Sequence, residues 1–397
     1  MVPEGWKVLT IEKMAKVTSG GTPSRSKSEY WEGSVPWVTT AEVHFNTIYD
    51  TKQKITLAGL ENSSAKLFPP KTILMAMYGQ GKTRGQVAQL GIEASTNQAC
   101  SAILLKKDFF PEYYYLYLQS QYKNIRNLSN SGGQKNLSAR LVKSILVPVP
   151  PFLEQTKIAK ILSTWDQAIE TTEKLIKNSR AQKKALMQQL LSGERRLPGF
   201  NEKSMQVTIN QMGKIVSGGT PDTQNPSFWN GDIAWTTPTD ITALESRFIK
   251  HTKRNITVNG MNNSSAQLLP VGSILVCTRA TIGYLAISSS EISTNQGFKS
   301  LIPNNDFDSD FIYYLFKYYK HLFIKFACGS TFLEISKKDF SQLTFKVPTI
   351  DEQKGIAIVL NNAGNDIRKF EETRTVLLNE KKALMQQLLT GKRRVKP

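Results

Sequence analysis

The chain has 397 residues, 40% hydrophobic and 21% charged, a length that suggests two or three domains and a composition that excludes a disordered or fibrous class. Fifty-one Lys and Arg against 32 Asp and Glu leave a formal charge of +19. That surplus favours a polyanionic partner such as nucleic acid, because cations gain affinity by releasing counterions from phosphates; a solvated basic surface is the plainer alternative. No apolar run is long enough to span a membrane, and the stretch after Met1 lacks the apolar core of a secretory signal. Cys100, Cys277 and Cys328 are too scattered for a disulfide framework or a metal knuckle, so a cytoplasmic location is expected.

Residues 1–150 carry short Val/Ile/Thr/aromatic runs, such as Thr72-Ile73-Leu74-Met75-Ala76-Met77, punctuated by Pro, Gly and Asn. This predicts a mostly β domain of many short strands. Ala76-Met77-Tyr78-Gly79-Gln80-Gly81-Lys82-Thr83 has the loose spelling of a phosphate loop with Ala for the first Gly. A working loop needs a helix N-terminus after it, whereas Arg84 to Leu90 reads as another strand, so no nucleotide site is expected. Tyr113 to Leu118 predicts a helix whose apolar side chains suit the core better than a stacking platform for bases.

Beyond Pro150-Pro151 the period changes. Ile158, Leu162, Trp165, Ile169, Thr172, Ile176, Ser179, Lys183, Leu186 and Leu190 fall at alternating steps of four and three, the seam of a coiled coil. The pattern stops at Gly193, a residue type that closes helices. About 38 residues of helix make a rod of about 57 Å. Lys183 interrupts the seam, and its alkyl stem is expected to snorkel to water rather than to set register.

From residue 200 the chain is written a second time. Lys183-Lys184-Ala185-Leu186-Met187-Gln188-Gln189-Leu190-Leu191 recurs unchanged from Lys381 to Leu389, an offset of 198 residues. The same offset relates Ser19-Gly20-Gly21-Thr22-Pro23 to Ser217-Gly218-Gly219-Thr220-Pro221, Trp31 to Trp229, Trp37 to Trp235, and Ser95-Thr96-Asn97-Gln98 to Ser293-Thr294-Asn295-Gln296. Between these anchors it slips by three, since Asn62-Ser63-Ser64-Ala65 matches Asn263-Ser264-Ser265-Ala266. The four shared tryptophans read as core. Phe311 to Phe316 repeats the helix of the first half, and the coiled-coil seam returns as Ile356, Leu360, Ala363, Ile367, Phe370, Arg374, Leu377, Lys381, Leu384 and Leu388, closing at Gly391. Thr349-Ile350-Asp351-Glu352 has the spacing of a capping box.

The expected fold is therefore α+β with an internal repeat about a pseudo-two-fold. It comprises a mostly β domain over 1–150, a long helix and linker over 151–199, a second mostly β domain over 200–348, and a C-terminal long helix over 349–397, the two helices pairing antiparallel. Catalytic residues are absent by elimination. Asn225-Pro226-Ser227-Phe228 is similar to the Asn-Pro-Pro-aromatic loop of adenine methyltransferases, but Lys27-Ser28-Glu29-Tyr30 in the first half does not keep it, and Asn-Pro favours a turn in any case. His44, His251 and His321 share no position between halves and have no metal spacing. No cofactor and no metal are expected.

Several spellings together carry a resemblance over essentially the whole chain. Ser-Gly-Gly-Thr-Pro followed by Trp-x-Gly, Ser-Thr-Asn-Gln, the helix start from Pro150 to Gln155, the helix end Leu-Met-Gln-Gln-Leu-Leu-x-Gly, and the linker from Gly193 to Phe200 resemble the type I restriction–modification specificity subunit. The resemblance implies two target-recognition domains, each reading one half of a split, asymmetric site in double-stranded DNA. It also implies that methylation and ATP-driven cleavage belong to other subunits, with two methyltransferase subunits as direct partners and restriction subunits joined through the complex. On that reading, rod length sets the spacing between half-sites.

Loops that differ between halves within a shared framework are the candidates for reading bases: Tyr78, Gln80, Lys82, Thr83 and Arg84 against Thr278, Arg279 and Thr281, and Gln134, Lys135 and Asn136 against Ser330 and Thr331. Gln suits adenine, and Arg or Lys suits guanine. Lys52, Lys54, Lys66, Arg140, Lys250, Lys253, Arg254 and Lys337 suit phosphates, which position without specifying. Met187, Leu191, Met385 and Leu389 form a second apolar stripe, fit either to dock the methyltransferase or to pack on the chain's own domains. The rival expectation is a coiled-coil adaptor whose β domains bind protein or carbohydrate.

Overall fold

The computed structural model describes residues 2–79, 81–128, 136–327 and 333–395. Its chain divides into two units, Met1–Glu173 with Glu372–Pro397, and Lys174–Glu371. Each is mixed α and β, and the same path is traced in both.

Among the described residues, the first unit holds a five-stranded sheet in the order Ala15–Ser19, Cys100–Leu105, Ile73–Ala76, Val87–Leu90, Thr47–Ile48, antiparallel except for its last pair. Ile73–Ala76 is buried throughout because both faces are covered. Ile73 and Met75 point to a core shared with Tyr113, Leu116, Ile158 and Leu162, while Leu74 and Ala76 join Val38, Ile48 and Phe68 on the other side. Strand alternation thus turns one continuous apolar run into two cores. The second unit repeats this with Gly213–Ser217, Lys299–Pro303, Ile274–Val276, Leu285–Ser288 and Phe248–Ile249.

A three-stranded sheet in each unit centres on the tryptophan strand. Trp31–Val38 pairs antiparallel with Gln53–Ile55 and parallel with Ser95–Thr96; Trp229–Thr236 pairs likewise with Arg254–Ile256 and Ser293–Thr294. The register shifts between Trp31 and Val35 and again between Trp229 and Ile233. Each bulge holds a non-glycine residue in the left-handed region, Glu32 at φ 60° and Asn230 at φ 61°.

The repeated spellings turn out to be one interlock. A Cβ on Gly20 would stand 1.9 Å from the Thr96 carbonyl oxygen, so only glycine fits there. The Trp37 indole N–H donates to the Gly21 carbonyl at 2.9 Å, the Gly21 amide to Thr96 at 2.8 Å, and Thr22 pairs with Gln98. In the second unit Trp235 donates to Gly219 at 2.9 Å, Gly219 to Thr294 at 2.9 Å, and Thr220 pairs with Gln296. Ser-Gly-Gly-Thr-Pro, tryptophan and Ser-Thr-Asn-Gln recur because each satisfies the others' polar groups.

Two helices of 41 and 39 residues, Phe152–Ser192 and Ile350–Leu388, each contribute residues to both units. Gly193 and Gly391 follow them at φ +74°, as expected of closing glycines. The expected capping box does not form. Glu352 turns its carboxylate to Arg196, whose Nε donates at 2.7 Å, and to the Leu197 amide at 3.3 Å. Glu154 does the same with Arg394 Nε at 2.9 Å and the Trp6 indole N–H at 3.2 Å. The neighbouring glutamines seal the helix starts: Gln155 bridges the Pro150 carbonyl and the Phe110 amide, and Gln353 bridges the Pro348 carbonyl and the Asp308 amide.

Within each unit a segment of one long helix runs antiparallel to a segment of the other. In the first unit Lys381 pairs with Asp166 and Arg374 Nε with Glu173 at 2.6 Å; in the second, Arg180 pairs with Glu371. The seam positions Ile158, Leu162, Ile169 and Thr172 in the first unit, and Ile176, Leu190, Ile356 and Leu360 in the second, are buried. Lys381 is only 8% exposed, and its ammonium pairs with the half-exposed carboxylate of Asp166 at the edge of the seam. Among the described residues no helix is long and apolar enough to cross a membrane.

Candidate nucleic-acid interface

The loops that differ between halves are held on the shared frame. In the first unit, Tyr78 and Lys82 are exposed, Thr83 is half-buried, and Gly79 and Gly85 take left-handed φ values of 133° and 83°. The Tyr122 hydroxyl donates to the Lys82 carbonyl at 2.5 Å, Arg126 donates to that hydroxyl at 2.9 Å, and Arg84 donates to the Arg126 carbonyl at 3.4 Å. Arg84 is buried at 7% exposure and acts here as a brace for the loop, whose exposed side chains among the described residues are Tyr78 and Lys82. No helix follows the Gly81-Lys82-Thr83 turn, and Val87–Leu90 is a strand, as the sequence predicts against a phosphate loop. The Leu137 amide bonds the Met77 carbonyl at 2.9 Å, which brings half-buried Asn136 beside this loop. Gln80, Gln134 and Lys135 lie outside the described residues.

In the second unit the equivalent turn is tighter. Thr278 is buried, and Arg279 is half-buried, its backbone forming an isolated antiparallel β-bridge with Glu334. Ala280 is exposed at φ 63°, and half-buried Thr281 donates its amide to the Arg279 carbonyl at 2.8 Å. The Ile335 amide bonds the Thr278 carbonyl at 3.0 Å, matching the Leu137–Met77 link of the first unit. Tyr284, which sequence reasoning passed over, stands 45% exposed with Lys320 Nζ 3.6 Å from its ring centroid. Ser330 and Thr331 lie outside the described residues.

The candidate phosphate contacts are spread over both units. Lys52, Lys66, Arg140, Lys250, Lys253, Arg254 and Lys337 are exposed, and Lys54 is half-buried with its ammonium 3.4 Å from Asp50. Lys66 donates to the Thr18 hydroxyl at 2.8 Å. Lys52 and Lys253 occupy equivalent places, their amides held by the buried carboxylates of Glu42 at 2.9 Å and Asp240 at 3.1 Å. Arg254 lies over Trp229, its guanidinium carbon 3.5 Å from the ring centroid. Arg25, missed in the sequence, holds the matching position over Trp31 at 3.8 Å. The tryptophans are core residues as expected at Trp37, Trp229 and Trp235, while Trp31 is half-buried and shares a ring face with its arginine.

The second apolar stripe is divided. Leu191 and Leu389 are buried, at 2% and 0% exposure, in the cores of their own units, and Met187 and Met385 pack half-buried against those cores. Burial drives the thiols of Cys100 and Cys277 up to about 12, which leaves them inert. Among the described residues no group of three or more His, Cys, Asp or Glu is arranged to hold a metal ion.

A family profile described as the type I restriction modification DNA specificity domain matches residues 3–178 and again 201–379. The chain belongs to that family. The specificity subunit of the type I restriction enzyme MjaIX from Methanocaldococcus jannaschii is 37% identical over 159 residues, an alignment covering 38% of this chain and 36% of that one. The putative MjaX specificity subunit of the same organism aligns over 100% of this chain and 95% of its own, at 25% identity. Solved structures show the same fold. The type I restriction–modification S subunit from M. genitalium superposes with a TM-score of 0.60 at 16% identity, over 98% of this chain and 96% of that one, and the HsdS subunit from Thermoanaerobacter tengcongensis with 0.57 at 16%, over 98% of each. In this specificity-family chain the two matched segments carry the same tryptophan interlock, and their sequences part at the loops around Tyr78 and Ala280.

Proposed function

We infer that the chain is the DNA-recognition subunit of a type I restriction–modification complex. Each unit reads one half of a bipartite, asymmetric duplex site, and the subunit itself performs no chemistry. The observation that carries this reading is a duplicated frame, identical in its Trp37–Gly21 and Trp235–Gly219 bonds, from which unlike loops project. Tyr78, Lys82 and Asn136 in the first unit, and Arg279, Thr281 and Tyr284 in the second, are the side chains assigned to base edges. Lys52 and Lys253 are assigned to phosphates, supported by their equivalent anchoring. Side-chain donors on glycine-bounded loops suit the major groove, where each base pair presents a distinct pattern.

The two long helices set the separation of half-sites, and two methyltransferase subunits dock on them, with restriction subunits recruited through that complex in the cytoplasm. Support for a matched pair of docking places comes from the Lys183–Leu191 stretch and its copy Lys381–Leu389, whose half-buried apolar members include Met187 and Met385. The test is co-expression with a type I methyltransferase subunit followed by mapping of methylated bases. A two-part motif with a fixed spacer is the expected result. Methylation of one short continuous motif, or none above background, would contradict the reading.

A further inference from the structure

Both units hold an arginine over a tryptophan ring, and they supply it from different places in the chain. In the first unit Arg25, on the loop before Trp31, lies 3.8 Å from the Trp31 centroid and 5.2 Å from that of Trp37. In the second, Arg254, on the strand opposite Trp235, lies 3.5 Å from Trp229 and 5.4 Å from Trp235. The position opposite Trp37 is Gln53, and Gln53 Oε1 accepts from Arg25 at 3.0 Å. One unit therefore builds with a loop arginine and a strand glutamine what the other builds with a strand arginine, while Thr223 stands where Arg25 would repeat.

The platform beneath is the same in each. Trp31 and Trp37 meet edge to face at 5.1 Å, Trp229 and Trp235 at 5.0 Å. All four indole N–H groups are fixed on backbone carbonyls: Ser24 and Gly21 in one unit, Asp222 and Gly219 in the other, at 2.9–3.0 Å. A guanidinium over a ring uses its face and keeps its N–H edges for hydrogen bonds, a geometry suited to phosphate capture; Arg25 gives one of these donors to Gln53. Among the described residues neither arginine has a carboxylate partner, and both are exposed. The cleft beside Arg25 is lined by Lys52, Lys54, Gln53 and Glu32, three cations with Arg25 against one acid, and Lys253 adjoins Arg254.

We propose that Arg25 and Arg254 are matched contacts to the phosphodiester backbone of duplex DNA, one in each unit, held in place by the tryptophan pairs and reading no base. This rests on the DNA-recognition reading above. The reason is one of placement: a cation needed only for solubility has no cause to be returned to the same ring face from an unrelated position.

The test uses the full chain in complex with its methyltransferase subunits, binding to a random-sequence duplex over a range of salt, together with the mapped methylation motif. Arg25→Gln and Arg254→Gln should each lower the slope of log affinity against log salt by about 0.9, and the double variant by about 1.8, with the motif unchanged. Arg25→Lys and Arg254→Lys keep the charge and should keep most of the slope, which separates a lost contact from a damaged fold. An unchanged slope in the double Gln variant overturns the proposal, and so does a motif altered in either half. Wild-type protein that shows no salt-dependent duplex binding would instead sink the DNA-recognition reading itself.

Discussion

Lys381 is buried and paired with Asp166, whereas its repeat, Lys183, faces Gly364, the residue that stands where Asp166 would recur. The duplication kept the seam lysine in both helices but its carboxylate in only one. Lys183 is left beside the Tyr314 ring at 5.1 Å and in the field of Lys317, Arg247 and Arg368. Burial first, and those cations next, hold its ammonium down to about 8.

Gly364→Asp should restore the missing partner. The new Cβ would come within 2.6 Å of Lys183 Nζ, the free end of a flexible chain that can move aside. Replacing a mid-helix glycine and adding a half-buried ion pair together should stabilise the second unit by about 1 kcal/mol. Asp166→Asn should cost the first unit about 1–2 kcal/mol, because Lys381 stays inside without its carboxylate while Asp166 is itself half exposed. Urea unfolding of each variant beside wild type measures both.

The depressed Lys183 also fixes a pH dependence. In the unfolded chain this lysine binds its proton up to its ordinary value of 10.5, whereas in the folded unit it releases it near 8. Between those values the unfolded state holds more protons, so this group's contribution to stability rises with pH. Below about 8 the cost of the buried charge is present in full. Lys183→Met should remove that rise, and the difference between wild type and variant in urea midpoints at pH 7 and pH 9.5 reports it. A difference that does not narrow at the higher pH contradicts the assignment.

In the second unit Arg196 clamps the linker to the buried start of the C-terminal helix. The Glu352 side chain is 0% exposed and accepts from Arg196, which is 29% exposed. Arg196→Met leaves that carboxylate buried without its charge partner and should cost about 3 kcal/mol. Arg394→Met, at a pair whose arginine is 41% exposed, should cost less. Adding Glu352→Gln to Arg196→Met should recover part of the loss, and a double-mutant cycle by urea unfolding gives the coupling.

Much of this was legible in the sequence. The offset of 198, the two long helices with their closing glycines and the buried Tyr113 and Phe311 helices follow from spacing and period alone. What escaped were ties between residues far apart in the chain. Glu352 has the spacing of a capping residue, and nothing local shows that Arg196, 156 positions away, takes its carboxylate. Arg25, close to Trp31 in the chain, escaped for a different reason: its worth depends on the ring lying beneath it. Arg84 looked available for a base, yet the fold turns it inward onto the Arg126 carbonyl. Leu191 and Leu389 read equally as a partner surface or as packing on the chain's own domains, because an outer stripe and a core stripe have the same spelling; burial in the unit cores separates them from Met187 and Met385.

Helix length should govern the spacer. Inserting one heptad into each long helix at matched places adds about 10 Å of rod, about three base pairs of duplex. The methylated motif should keep both half-sites and widen between them. An unchanged spacer in a folded, active variant contradicts the ruler.

The most direct measurement of the central claim, that each unit reads its own half of one site, is methylation mapping of loop variants in the assembled complex. Tyr78→Ala with Lys82→Ala should relax or change the bases of one half of the motif and leave the other half and the spacer as they were. Arg279→Ala with Tyr284→Ala should do the reverse. If either pair alters both halves together, or if neither alters any base while methylation continues, the two units do not read separate half-sites.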